Sequence, residues 1–220
     1  MKKVLICLTC IMCLGGHTQE SFKKEQLNYE HVRQAYQEKE TEVNQLLESK
    51  ALKIGNFEIY IRAFKMETSI EIWGKNKDEF EFVLIKDFVI CSLSGDEGPK
   101  RRKYDLQIPE GYYEISKFNP TSDFYLSLGI NYPNKSDRIL GEHGNLGGSI
   151  FIHGGCITIG CIPITTFFIK EFYVYCLEAK KNGQKIIPIT IFPRKLTAKN
   201  YQYLTEKYKF DSDKIGLWAD

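Results

Sequence analysis

Near residue 52 the spacing of the apolar residues changes period, and that change restricts the chain to a sheet with helices attached. From 21 to about 51 the segment is charged and proline-free, with Leu27, Val32, Ala35, Tyr36, Val43, Leu46 and Leu47 at roughly helical spacing. It reads as an amphipathic helix, continuous or broken, that lays one stripe on the domain. Then Phe57, Ile59, Ile61 and Ala63 alternate with Glu58, Tyr60 and Arg62, Ile70 and Ile72 follow, and 80–85 is a further apolar run. Period two predicts strands of a mostly antiparallel sheet, joined by short turns such as Gly74-Lys75-Asn76-Lys77.

Residues 87–92 (DFVICS) read as another strand, after which SGDEGPKRRKYDLQIPEGYYEI begins a long connection punctuated by Gly95, Gly98, Pro99, Pro109 and Gly111. A second irregular stretch, NYPNKSDRILGEHGNLGG, fills 131–148. Loops this long inside a compact domain usually carry function. Phe168, Ile169, Phe172, Cys176 and Leu177 then mark a helix over 165–181 that stops at Gly183, KIIPITIF (185–192) is a last strand, and Thr197 caps a helix through Tyr208. The order helix, many strands, helix, strand, helix defines a mainly β, α+β chain with flanking helices and no internal repeat.

Lys2 and Lys3 precede an apolar stretch over 4–14 that ends in Gly15 and Gly16, the pattern of a secretory signal. The stretch is too short for a permanent bilayer span. This predicts a signal peptide over 1–19 that carries off Cys7, Cys10 and Cys13, a helical segment over 20–52 and one domain over 53–220. Lipid anchoring is disfavoured, because Cys13 follows Ile11 and Met12 and Cys10 follows Leu8 and Thr9, where small residues are needed. An exported chain keeps Cys91, Cys156, Cys161 and Cys176, enough for two disulfides or for a free thiol. The formal charge is +2 with Lys and Arg spread along the chain, so nothing suggests a nucleic-acid face.

Chemistry concentrates in IFIHGGCITIGCIPIT, residues 150–165. An apolar run ends at His153 where Gly154-Gly155 lets the backbone turn, and Gly160 directly precedes Cys161. A thiol that attacks a carbonyl needs a base for its proton and N–H donors for the oxyanion; His153 and the amides around Gly160 and Cys161 offer both. The interval from His153 to Cys161 suits a strand end, a tight loop and a return, and pairing with an imidazolium would lower the thiol pKa by several units. Three blander readings stand beside this one. Cys161 is core filler, Cys156 and Cys161 form a disulfide, or His153, Cys156 and Cys161 hold a metal, for which only the distant His143 could be a fourth ligand. Cys156 reads as structural, His143 as solvated, and Cys91 and Cys176 lie on apolar patterns as core.

These residues resemble the L,D-transpeptidase (YkuD-like) catalytic domain of bacterial cell walls, and within it the YafK-like murein transpeptidase and endopeptidase branch. The likeness rests on Gly98-Pro99-Lys100, Asp105, Pro109-Glu110-Gly111 and Tyr113, then His153-Gly154, Cys156 and Gly160-Cys161, with FYLSLGINYPNKSDR and IRAFKMETSIEIW in the same order. It covers most of 57–195. It implies a β-sandwich or barrel-like domain with N- and C-terminal helices, Cys161 as nucleophile, His153 as general base and the backbone at Gly160 and Cys161 as oxyanion hole. The chain departs from the wider family: Thr158-Ile159-Gly160-Cys161 lacks a second histidine, and Pro163 stands where an arginine is usual. The partner that orients His153 is therefore a backbone carbonyl or Thr158.

The reading is an exported, cofactor-free cysteine enzyme, in the periplasm or cell wall, that acts on peptidoglycan stem peptides at an L-to-D centre through a thioester. An amine acceptor gives a cross-link or a murein-linked protein, and water gives hydrolysis. Lys100 and Arg138 are candidates for the stem carboxylates, and Tyr125 and Tyr132 for the groove wall. The alternatives are a non-catalytic peptidoglycan-binding module with a Cys156–Cys161 disulfide, and a cysteine hydrolase of protein substrates.

Overall fold

The computed structural model describes residues 14–219, so most of the expected signal peptide lies outside the described residues. The N-terminal segment is broken: α1 (Leu14–Gln26) and α2 (Glu30–Ser49) are separate helices. On α2 the residues Val32, Ala35, Tyr36, Val43 and Leu47 form the buried stripe that their spacing predicts. That stripe rests on α4 (Thr165–Lys181).

Eight strands form one curled, mixed sheet: β1 (Phe57–Phe64), β2 (Ser69–Asn76), β3 (Val83–Val89), β4 (Gly111–Ser122), β5 (Tyr125–Ile130), β6 (Phe151–His153), β7 (Ile162–Pro163) and β8 (Pro188–Phe192). Their order is β3-β2-β1-β8-β4-β5-β6-β7, with parallel pairing only between β1 and β8 and between β6 and β7. β4 makes the curl. Its first residues, Gly111 to Glu114, pair with β8, while Ile115 to Ser122 pair with β5 through two irregularities. One long strand thus serves two stretches of sheet, and bulges of this kind bend and twist a strand.

Helix α4 is the axis of the core. Phe172, Tyr173, Val174, Tyr175, Cys176 and Leu177 are all inaccessible, because α1 and α2 cover one side and β1, β5 and β6 the other. A helix buried all round can be apolar all round, and each large apolar side chain it buries is worth about 1.5–3 kcal/mol. Its two buried acids are paired: Glu171 with Lys86 of β3, and Glu178 with Lys23 of α1 and the Tyr36 hydroxyl of α2.

The predicted helices 165–181 and 198–208 and the strand at 185–192 are present, as is the predominantly antiparallel sheet. Three expectations change. Runs 80–85 and 87–92 contribute to a single strand, β3, because Phe80 is exposed and the ladder with β2 begins only at Val83. The long connection ends at Gly111, where the β4–β5 hairpin begins; the alternation Tyr113, Ile115 and Leu126, Leu128, Ile130 was its signal. The stretch 131–148 holds a short helix, α3 (Lys135–Leu140), started by a reciprocal capping box between Asn134 and Asp137. A last helix, α6 (Ser212–Ala219), follows α5 (Ala198–Lys207).

Candidate active site

His153 ends β6, and Cys161 immediately precedes β7. The two short strands are parallel, with Ile152 opposite Ile162 and His153 opposite Pro163. Side chains alternate along a strand, so Cys161 and His153 are diagonal neighbours on one face of the pair. Both line a cleft of about 260 Å³ whose other walls include Asn119, Ser122, Asp123, Phe124 and Ser149.

The Nδ1 of His153 lies 2.5 Å from the Gly154 carbonyl. A carbonyl only accepts, so Nδ1 carries the hydrogen and Nε2 keeps its lone pair. The orienting partner is thus the backbone carbonyl, and Thr158 has another task. Its hydroxyl donates to the Cys161 carbonyl at 2.7 Å and accepts from the Gly160 amide at 3.1 Å. The ring of Phe124 lies over His153, centroids 4.4 Å apart. Gly154 permits this approach, since a Cβ there would sit 2.4 Å from the Phe124 carbonyl oxygen.

The Cys161 thiol donates to the Ser149 carbonyl at 3.7 Å and accepts from the Phe151 amide at 3.4 Å. Burial pushes its pKa up, opposed by the Phe151 amide and by the charge of Lys100. Burial also lowers the pKa of His153 against a smaller, raising effect of the Gly154 carbonyl. The resting pair is therefore a neutral thiol and a neutral imidazole, not the thiolate–imidazolium pair that spacing suggested.

Cys156 is bonded to Cys91, with Cα atoms 5.5 Å apart, and Cys161 is free. This corrects the reading of Cys91 as core and removes the Cys156–Cys161 disulfide on which the binding-module alternative stood. The true partner is 65 residues away in sequence, where spacing gives no clue. The bridge fastens the loop after His153 to the end of β3, and the Cys91 amide also donates to the Pro163 carbonyl at 2.9 Å. Cys176 is core, as expected.

The other predicted residues lie elsewhere. Gly160 has φ +133°, and its amide is taken by Thr158, so its part is conformational. Only the Cys161 amide, one residue before the ladder at Ile162, remains of the predicted donor pair. Lys100 is 4 % exposed, bound to Asp105 and the Arg102 carbonyl, and reaches Cys161 only through its field. Arg138 is exposed at the end of α3, away from the cleft lining. Tyr125 turns from the cleft to α2: it stacks on His31, its hydroxyl donates to Gln34 at 2.9 Å, and its carbonyl meets His31 Nδ1 at 2.8 Å. Helix α2 thereby anchors the hairpin that carries Phe124, which no sequence pattern indicated. Tyr132 is buried, its hydroxyl donating to the Leu146 carbonyl.

No family model matches the chain. Among curated proteins, the putative L,D-transpeptidase YafK of Escherichia coli strain K12 is 33 % identical over 144 residues, 64 % of this chain and 56 % of that protein, and its O157:H7 counterpart gives the same figures. The chain is a homologue of YafK. It spans about half the length of these relatives. Among solved structures, the helical cell shape determining protein Pgp2 from Campylobacter jejuni shares the fold, with a TM-score of 0.51 and 18 % identity over 72 % of this chain and 58 % of that one. Homology to YafK thus agrees with the resemblance carried by the dispersed motifs, and the likeness to Pgp2 agrees with a curled sheet flanked by helices. Among the described residues, no helix is long and apolar enough to cross a membrane.

Proposed function

We propose that the protein is an exported acyl-transfer enzyme of the YafK kind, acting on peptidoglycan stem peptides with Cys161 as nucleophile and His153 as base. The observation that carries this is the placement of one free thiol and one imidazole with an available Nε2 on the same face of β6–β7, in a cleft lined by hydroxyl and amide groups.

In the reaction, the thiol turns from the Ser149 carbonyl and passes its proton to Nε2 as sulfur bonds to the carbonyl carbon of an L-to-D peptide link. The Cys161 amide donates to the oxyanion. The intermediate collapses with cleavage of the C–N bond, and the leaving amine takes the proton from the imidazolium. The thioester is then resolved by an amine, which gives a cross-link or protein attachment, or by water, which gives hydrolysis. His153 takes the proton of that second nucleophile and returns one to sulfur.

Intact-mass spectrometry of the protein and of purified muropeptides, run beside Cys161→Ala, tests this. Wild type alone should carry the stem-peptide mass or release D-alanine or a linked peptide, and the products separate transfer from hydrolysis. Muropeptides left unchanged by wild type would overturn the proposal.

A further inference from the structure

Behind the nucleophile lies a second cavity, of about 390 Å³, lined by Glu97, Arg101, Arg102, Asp105, Gln107 and Lys214 among others. Gln107 joins it to the catalytic loop: its carbonyl oxygen would lie 3.1 Å from a Cβ at Gly160. With Asp211, which also lines it, the formal charges of the cavity cancel, but the acids have partners of their own. Glu97 is held by Arg194 and Lys207. Asp105 is held by Lys100 and by the amides of Arg101, Arg102 and Gln107. Lys214 pairs with Asp211 at 3.2 Å. Neither guanidinium, Arg101 or Arg102, forms an ion pair among the described residues.

The cavity therefore presents two guanidinium groups without an ion pair beside acids that already have partners, although the charge of Arg101 also acts on Asp137 and Asp211. Its wall is also fixed in place. Lys65, 2 % exposed, donates to the Gly98 and Ile108 carbonyls at 3.0 and 3.1 Å and to Glu110 at 2.9 Å, while Glu110 accepts from the Gly98 amide at 2.7 Å. Arginine forks match carboxylates in a planar, two-bond geometry, and a site that is ordered before binding loses less entropy on binding.

We propose that this cavity is a carboxylate subsite in which Arg101 and Arg102 hold a free carboxylate of the stem peptide whose scissile carbonyl lies at Cys161. The assignment rests on the acyl-transfer reading above and moves carboxylate recognition from Lys100 and Arg138 to the two residues after Lys100.

Titration calorimetry on full-length Cys161→Ala protein, which binds without turnover, tests it with a free tetrapeptide stem and with the same peptide carrying amides in place of its carboxylates. The free acid should bind about tenfold more tightly than the amide. Arg101→Gln/Arg102→Gln should remove that tenfold and leave amide binding unchanged, and Arg101→Lys/Arg102→Lys, which keeps charge without the fork, should recover part of it. Equal binding of acid and amide, an unaffected arginine double variant, or no binding of either peptide would each overturn the subsite. The mass readout on wild-type protein with muropeptides is independent of these arms, so a failed subsite and a failed acyl-transfer reading give different results.

Discussion

Two loops meet at Gly160, and they are held by opposite means. The loop over 154–160 joins base to nucleophile. It is short, carries the exposed side chains Ile157 and Ile159, and is fastened by a covalent bond from Cys156 to Cys91 and by the Thr158 hydroxyl. The loop over 94–110 is long and rich in charge, and it is fastened by the buried pair of its Glu110 with Lys65, which reaches in from the β1–β2 turn, and by its own Lys100–Asp105 pair. A short loop with no core of its own can be fixed by tying it to a distant part of the chain, and such a cross-link is worth more the longer the stretch it closes, here a separation of 65 residues. A long one can fold round buried ion pairs, provided that each buried charge has its partner.

The comparison predicts that damage at the first loop and the base that precedes it shows in rate, with or without a loss of stability, and that damage to the second shows in stability. His153→Gln keeps a polar side chain but removes the base, and should lower kcat for muropeptide turnover by about 10²–10⁴-fold with little change in thermal midpoint. A fall in midpoint large enough to explain the lost activity would show that His153 is a structural residue.

Glu110→Gln leaves the Lys65 ammonium buried at 2 % exposure without its carboxylate. Breaking such a pair costs about 3–5 kcal/mol, read as a lower midpoint in urea. Lys65→Met/Glu110→Leu should regain much of that loss, because an apolar pair leaves no uncompensated charge. If Glu110→Gln proved as stable as wild type, the second loop would not depend on its ion pair.

Cys91→Ser/Cys156→Ser should cost about 2–4 kcal/mol, since the bridge closes a long loop. In the remaining folded protein kcat should fall about tenfold, a shift of the base by a fraction of an ångström being enough for that. Reduction of wild type should reproduce both effects, and reoxidation should reverse them. Unchanged kcat in the folded variant would make the bridge a stabiliser only.

What the sequence discloses follows the same division. The α4 helix, the α2 stripe and the β1–β2 pair were legible because periodicity reports which face is buried, and these elements are buried along most of their length. The β4–β5 hairpin was hidden by its Gly- and Pro-containing flanks. His153 and Cys161 were legible as a pair because eight residues of chain hold them together. The Cys91 bridge, the anchoring of Phe124 through Tyr125 and the burial of Lys100 were not, since each depends on contacts between distant segments. The burial of Lys100 was hidden because it opens the basic run Lys100-Arg101-Arg102-Lys103, which gives no sign that the carboxylate five residues on, Asp105, takes up the first of its charges.

The smallest effect separates two states of the same pair of atoms. Burial holds His153 below its ordinary 6.5 and Cys161 above its ordinary 9.0. Between the folded and unfolded pKa of the histidine the unfolded chain binds more protons, so this group's contribution to stability is lost as pH falls through 6.5 towards the folded value. Above 9.0 the unfolded chain has released the thiol proton that the folded chain retains, so the cysteine's contribution declines as pH rises towards its folded pKa. For reactivity, a neutral pair means that iodoacetamide alkylates Cys161 slowly at pH 5–6 and faster only as the thiol ionises above 9.0. A thiolate–imidazolium pair would react fast in the acid range and lose rate only as the thiolate is protonated at still lower pH. Alkylation rates across pH 5–10 with Cys161→Ala as blank distinguish the two, Cys176 being inaccessible in the folded protein. A fast acid-range reaction would mean that the protein forms the charged pair before substrate arrives.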